Sequence, residues 1–216
     1  MIQLYSDSRC PFSHRVRIIL NEKDMDFKIL DVNINARQDL MQLNPYNETP
    51  VLVDDIDKNN RKRDLVLIDT NIMSEYIDER FPHPQLMPIE PAEKARMRMK
   101  IHWLDRQLFQ HVRLLDTNLN SKDAKMKKEL EKARKIISSS LDEIAGVFTL
   151  NKKMEYFDST HLTLLDVSLL PVLWRLNHYN IEVKKTWAGL MKYAETQFNR
   201  KSFLDSLTAA ERSMKQ

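Results

Sequence analysis

The sequence predicts two architectures in series, an α/β domain over residues 1–81 and an all-helical domain over residues 93–216. Short strand-like apolar runs alternate with helix-spaced ones through residue 80. "FPHPQLMPIEP" follows at residues 81–91, and its four prolines exclude helix and mark 82–92 as a stiff linker. Beyond it the apolar residues keep helical spacing throughout, with no strand candidate.

In the first domain, residues 2–5 read as a strand and 11–23 as a helix with Phe12, Val16, Ile19 and Leu20 on one face. Residues 27–31 are a second strand. A short helix over 37–43 ends at Asn44-Pro45, because proline disfavours helix in the residue before it. Residues 51–53 and 65–68 are strands, and the polar "DDIDKNNRKRD" at 54–64 reads as an exposed hairpin connection, longer than usual. Asp69 or Thr70 caps a helix whose inner face is Ile72, Met73, Tyr76 and Ile77. The order is βαβαββα. In the second domain Ile101, Leu104, Leu108, Val112 and Leu115 share one face, and Met126, Leu130, Ala133, Ile137, Leu141 and Ile144 share another. Thr163 with Asp166 three residues on makes a capping-box start, and Pro171 should kink the helix it opens.

Composition narrows the function classes. The chain has 216 residues, 42% hydrophobic and 30% charged, which is the balance of a soluble globular protein. Its net charge of +3, from 34 basic and 31 acidic residues, is too even to imply nucleic acid by itself. One cysteine excludes an intrachain disulfide and a multi-cysteine zinc site, and suits a reducing cytosol. No secretory signal is visible, and no apolar run nears the roughly 20 residues that span a bilayer. With glycine only at Gly146 and Gly189, no glycine-rich phosphate loop is present.

Four features carry candidate chemistry. Cys10, in "SDSRCPFSH", sits between strand and helix, where unpaired N–H groups and the helix dipole lower a thiol's pKa. A second cysteine is absent from Cys10-Pro11-Phe12-Ser13, so any exchange is of the one-thiol kind; the alternative is a small residue filling the helix start. Pro82-His83-Pro84 either stops a helix or presents an imidazole with Phe81, Leu86 and Met87 in a rigid exposed shape, at little ordering cost on binding. Lys122, Lys125, Lys127, Lys128, Lys132, Arg134 and Lys135, interleaved with Asp123, Glu129 and Glu131, make either a solvated helix face or a contact for phosphates or an acidic protein. Met97, Met99, His102 and Trp103 read as core or dimer interface; His102 and His111 are too far round the helix to share a metal, and no metal site is expected.

Taken together, the Cys-Pro-x-Ser helix, "ETPVL", the "DT" that opens a helix, the proline linker and the T-x-x-D box resemble the glutathione S-transferase fold with a thioredoxin-like N-terminal domain. "YIDERFPHPQLMP" at 76–88 and "SFLDSLTAAERSM" at 202–214 resemble the stringent starvation protein A family, bacterial transferase-like proteins that associate with RNA polymerase; "HRVRIILNEK" and "LLPVLWRL" fit it too. The resemblance implies a cytoplasmic, non-catalytic transcription regulator without cofactor that binds RNA polymerase holoenzyme with its sigma factor. It implies a homodimer or a heterodimer with a similar chain, no membrane, and no direct sequence-specific nucleic-acid binding. Phe81, Pro82, His83, Pro84, Leu86 and Met87 would form the partner site, with Glu90 where a relative can carry an aromatic. Cys10, Thr49, Pro50, Asp69 and Thr70 would be a vestigial glutathione site: Thr49-Pro50 as the cis-proline turn, Asp69-Thr70 as the pair for the γ-glutamyl end. Transferases often place a lysine where this chain has Glu48, and Asn47 replaces a turn glycine, so an anion would face the glycine carboxylate. The alternatives are a one-thiol glutathione-dependent transferase or reductase using Cys10, and a dimerisation scaffold for a paralogue.

Overall fold

Residues 1–32, 38–56, 64–150 and 154–215 are described by the computed structural model. Contacts divide the chain into two units: Met1–Gln85 with Lys201–Arg212, and Leu86–Arg200 with the residues from Ser213.

The first unit follows the expected βαβαββα order: β1 (Ile2–Ser6), α1 (Pro11–Glu22), β2 (Phe27–Asp31), α2 (Gln38–Leu43), β3 (Val51–Asp54), β4 (Leu65–Leu67) and α3 (Thr70–Arg80). The strands form one sheet in the order β2-β1-β3-β4. β1 runs parallel to β2 and antiparallel to β3, with Tyr5 opposite Val51; β3 runs antiparallel to β4, with Leu52 opposite Leu67. All four residues of the interior strand β3 are buried, the charged Asp54 with the apolar Val51, Leu52 and Val53. Pro11 takes the first helical position of α1, where its missing N–H leaves no bond unmade. Arg37 of the expected short helix and residues 57–63 of the expected hairpin connection lie outside the described residues.

The first unit departs from expectation twice. Residues 93–216 were expected to form the second domain, yet α9 (Lys201–Ser206) and α10 (Ala209–Arg212) group with the α/β unit. The reason is polar: Arg17 of α1 donates from Nη2 to both carboxylate oxygens of Glu211 at 2.6 Å and from Nε to the Ser206 carbonyl at 2.8 Å. His14 Nε2 lies 3.0 Å from Ser206 Oγ, and Thr208 Oγ donates to the Ser8 carbonyl at 2.6 Å. The second departure is on α3, whose buried face is Met73, Ser74, Ile77 and Asp78, whereas Ile72, placed inward by its spacing, is 58% exposed. The burial stripe is turned one position because Asp78 is drawn inward by a buried lysine, Lys23.

The second unit holds α4 (Pro91–Leu104), a π-helical turn (Asp105–Phe109), α5 (Gln110–Asn118), α6 (Ala124–Leu150), α7 (Leu164–Trp174), a 3-10 turn (Lys185–Trp187) and α8 (Ala188–Phe198). Both spaced faces are buried as read, with Met126 only partly covered. Met97 is core, and Met99 is exposed. The capping box at Thr163 is present, and Asp166 accepts four hydrogen bonds: from the N–H of Phe157 and of Thr163, the Thr163 hydroxyl and the Tyr193 hydroxyl, at 2.7–2.9 Å. Burial pushes the Asp166 carboxyl up against those donors, and burial beside that carboxylate pushes the Tyr193 phenol up as well. α7 continues through Pro171. No helix of the described residues is long and apolar enough to cross a membrane.

Candidate functional site

Sheet topology decides which loops meet. β1 and β4 both run antiparallel to β3, so the loop leaving β1, the loop entering β3 and the loop leaving β4 lie at one end of the sheet. Those loops carry Cys10, Thr49-Pro50 and Asp69-Thr70. Cys10 is the residue before α1, in extended backbone, 9% exposed, and its Sγ–H points at the Thr49 carbonyl at 3.7 Å. Asp7 Oδ1 accepts from the Arg9 N–H at 2.9 Å, a side-chain turn that fixes the approach to the cysteine. The Thr49–Pro50 peptide is cis.

Asp69 starts α3 by accepting from the N–H groups of Asn71 and Ile72 at 2.9 and 3.0 Å, so its carboxylate serves as a helix cap. Arg15 of α1 donates to Asn71 Oδ1 at 2.8 Å and ties this cap to the helix that follows Cys10. Glu48 is exposed on a turn built by buried Asn44: Asn44 Nδ2 donates to the Glu48 carbonyl at 2.9 Å, and Asn44 Oδ1 accepts from the Tyr46 N–H at 3.0 Å. Asn47 occupies the left-handed region at φ 51°, which fits its place in a glycine-type turn. Arg15, Asn44 and Asn71 escape a sequence reading; the one available clue, an Asn just before a Pro at Asn44-Pro45, points only to a turn.

The proline segment is held from beneath. Phe81 ends α3, its N–H donating to the Ile77 carbonyl at 2.9 Å, with the Arg80 guanidinium 5.8 Å from its ring centre. Pro82, His83 and Pro84 are exposed, and His83–Pro84 is a second cis peptide. The Lys23 ammonium donates to the Pro84 carbonyl at 2.5 Å and to Asp78 at 2.6 Å. Two residues expected in the exposed surface are not there. Leu86 is 1% and Met87 3% exposed, and the Leu86 carbonyl accepts from the Leu164 N–H at 3.0 Å, which anchors this stretch in the helical unit's core. Phe81 is half-buried. Glu90 caps α4, accepting from the N–H groups of Ala92 and Glu93 at 3.0 and 2.8 Å, and these two donors hold its carboxyl below the usual range. Among the described residues no three His, Cys, Asp or Glu side chains converge on a metal position.

Residues 9–80 match the family model described as "Glutathione S-transferase, N-terminal domain". The stringent starvation protein A homolog of Coxiella burnetii is 34% identical over 218 residues, covering 100% of this chain and 96% of the relative. The chain belongs to the stringent starvation protein A family. A homolog of the same name in Haemophilus ducreyi is 34% identical, covering 96% of this chain and 90% of its own. The solved ternary complex of BphK, a bacterial glutathione S-transferase, superposes with a TM-score of 0.80 at 20% identity, covering 97% of this chain and 99% of BphK. The fold of this family member is therefore that of a glutathione S-transferase, with a thioredoxin-like N-terminal part and a helical C-terminal part.

Proposed function

We propose that this chain is a non-catalytic regulator that binds RNA polymerase holoenzyme, with its sigma factor, and alters promoter use in starvation or stress. The observation that carries the reading is the exposed Pro82-His83-Pro84 element, pinned through the Pro84 carbonyl to a buried ammonium. A segment fixed before binding loses little entropy on docking, which is what a recognition element needs. Membership of the stringent starvation protein A family supports the same conclusion. The contact set is Pro82, His83 and Pro84 with the exposed part of Phe81; Leu86 and Met87 are buried and drop out of it. The reading includes a dimer, with itself or a similar chain, supported by exposed apolar Ile68, Ile72 and Met99.

The test is His83→Ala in a paired reporter and polymerase co-purification assay, with Cys10→Ser beside it. His83 is exposed, so its loss should change stability by no more than about 0.5 kcal/mol. Loss of a central contact worth about 2 kcal/mol weakens the complex roughly thirtyfold. Expected are lost activation and lost co-purification in His83→Ala, with melting temperature and dimer content unchanged, and wild-type behaviour in Cys10→Ser. The reverse pattern would favour the second reading, a one-thiol glutathione-dependent transferase or reductase. That reading is supported by Cys10 at the start of α1 beside the Thr49 carbonyl.

A further inference from the structure

Between residues 122 and 135 the sequence sets seven basic residues against three acidic ones, a net +4 in a chain whose total is +3. The protein's entire positive excess therefore lies in this one segment. The fold sorts it. α6 buries Leu130, Ala133, Ile137, Leu141 and Ile144. Arg134 is turned aside, its Nε donating to the Tyr179 carbonyl at 2.7 Å. Lys125, Lys128, Lys132 and Lys135 recur at i, i+3, i+7 and i+10, all exposed, on the side away from the buried stripe. Ser139 continues the row. At 1.5 Å per residue the four lysines span about 15 Å. Glu129 borders the row and takes part of its charge: the hydrogen bond from Lys132 and the nearby Lys125 ammonium hold its carboxyl low.

We propose that this lysine row binds the phosphodiester backbone of duplex nucleic acid without selecting sequence. A strand presents one charge per ~3.4 Å of axis, so the row faces about four phosphates. Three properties favour that partner. The row holds no aromatic or large apolar side chain apart from Ile136 at its edge, whereas protein interfaces centre on such anchors and are poor in lysine. The helix's apolar face is committed to the core, so it has nothing to insert into a lipid surface. Lysine is a point charge without the planar fork that reads base edges, so the contact positions and does not specify. The inference is independent of the polymerase reading, because α6 carries none of the residues assigned to that site.

The experiment is fluorescence anisotropy of the full chain with two unrelated labelled duplexes of about 30 base pairs, from about 50 to 200 mM salt. With three to four phosphates neutralised, affinity should be equal for both sequences and fall roughly 40- to 150-fold over that range. The set Lys125→Gln, Lys128→Gln, Lys132→Gln and Lys135→Gln should lose binding with its circular dichroism intact, and arginine at the same four positions should retain it. A control set that removes the same charge elsewhere, at exposed Lys28, Lys185, Lys192 and Lys201, should keep the salt slope. Lys128→Gln alone should reduce the slope by about 0.9, which keeps the test open should the fourfold variant fail to fold. No binding at low salt, equal losses in the two fourfold sets, or tighter binding to polyglutamate than to duplex would each overturn the proposal, the last in favour of an acidic protein partner.

Discussion

The ammonium of Lys23 lies 2.6 Å from Oδ1 of Asp78, with both side chains buried, and one ion pair thereby joins the end of α1 to the inner face of α3. The same ammonium reaches the Pro84 carbonyl, so the charge that stabilises the helix pair also fixes the end of the exposed proline segment. Removing one member of such a pair strands the other in a low-dielectric site, at about 3–5 kcal/mol. Lys23→Met should therefore cost about that much in urea unfolding, and pairing it with Asp78→Leu should recover part of the loss. A Lys23→Met protein as stable as wild type would show that the pair is not holding this corner together.

A second buried pair fastens the chain's end. Glu211 takes both contacts from Arg17 while its carboxylate accepts from the Thr208 N–H at 3.0 Å, and Thr208 Oγ accepts from the Glu211 N–H at 3.1 Å, a reciprocal cap for α10. Glu211→Ala removes both functions and leaves a buried guanidinium, so a loss of about 3–5 kcal/mol is expected. Ending the chain at Arg200 should be worse, because it uncovers His14 and Arg17 together. Equal denaturant midpoints for the truncated and full chains would contradict this.

These pairs also mark where the sequence stops being legible. The spacing of Phe12, Val16, Ile19 and Leu20 assigns α1 one buried face, and by that logic His14, Arg15 and Arg17 face water. All three are buried, because helices nearly two hundred residues later lie across α1 and Asn71 meets Arg15. Periodicity reads a helix against its neighbours in the chain and is blind to a distant cover whose contacts are ionic. The α/β order, a cap for α3 at Asp69 or Thr70 and the Thr163-Asp166 box were legible because each is encoded within a few residues; the turn at Asn47 was legible only through the transferase resemblance. Leu86 and Met87 were misread for the opposite reason: prolines on both sides signal exposure, but the Leu86 carbonyl bonds to Leu164, far along the chain.

Tyr76 gives a pH-dependent check on the first unit. Its hydroxyl donates to Asp54 Oδ2 at 2.6 Å, and burial, this hydrogen bond and the Asp54 charge raise the phenol to about 12. A folded value above the unfolded one near 10 means that the stabilisation is full below pH 10 and is lost as pH rises through about 12. Tyr76→Phe should be less stable than wild type by about 1–2 kcal/mol at pH 8. The gap should close between pH 10 and 12; a gap constant across that window would mean the phenol titrates alike in the folded and unfolded chains.

The final prediction concerns glutathione. Were the tripeptide to lie along Thr49, as the transferase resemblance implies, its glycine carboxylate would meet the exposed Glu48 on the turn that Asn44 builds. Two like charges at an exposed site cost little each, about 0.2–1 kcal/mol, but reversing one changes the interaction twice. Glu48→Lys should therefore tighten glutathione binding by about 2- to 30-fold over a weak wild type, and the gain should shrink as salt is raised. Calorimetric titration at two salt concentrations measures both effects. Turnover of a mixed-disulfide substrate should stay near background in wild type, because Cys10 is largely covered and its Sγ–H is directed at the Thr49 carbonyl. Low-micromolar glutathione binding by the unaltered chain, with turnover that disappears in Cys10→Ala, would move the assignment from regulator to one-thiol enzyme.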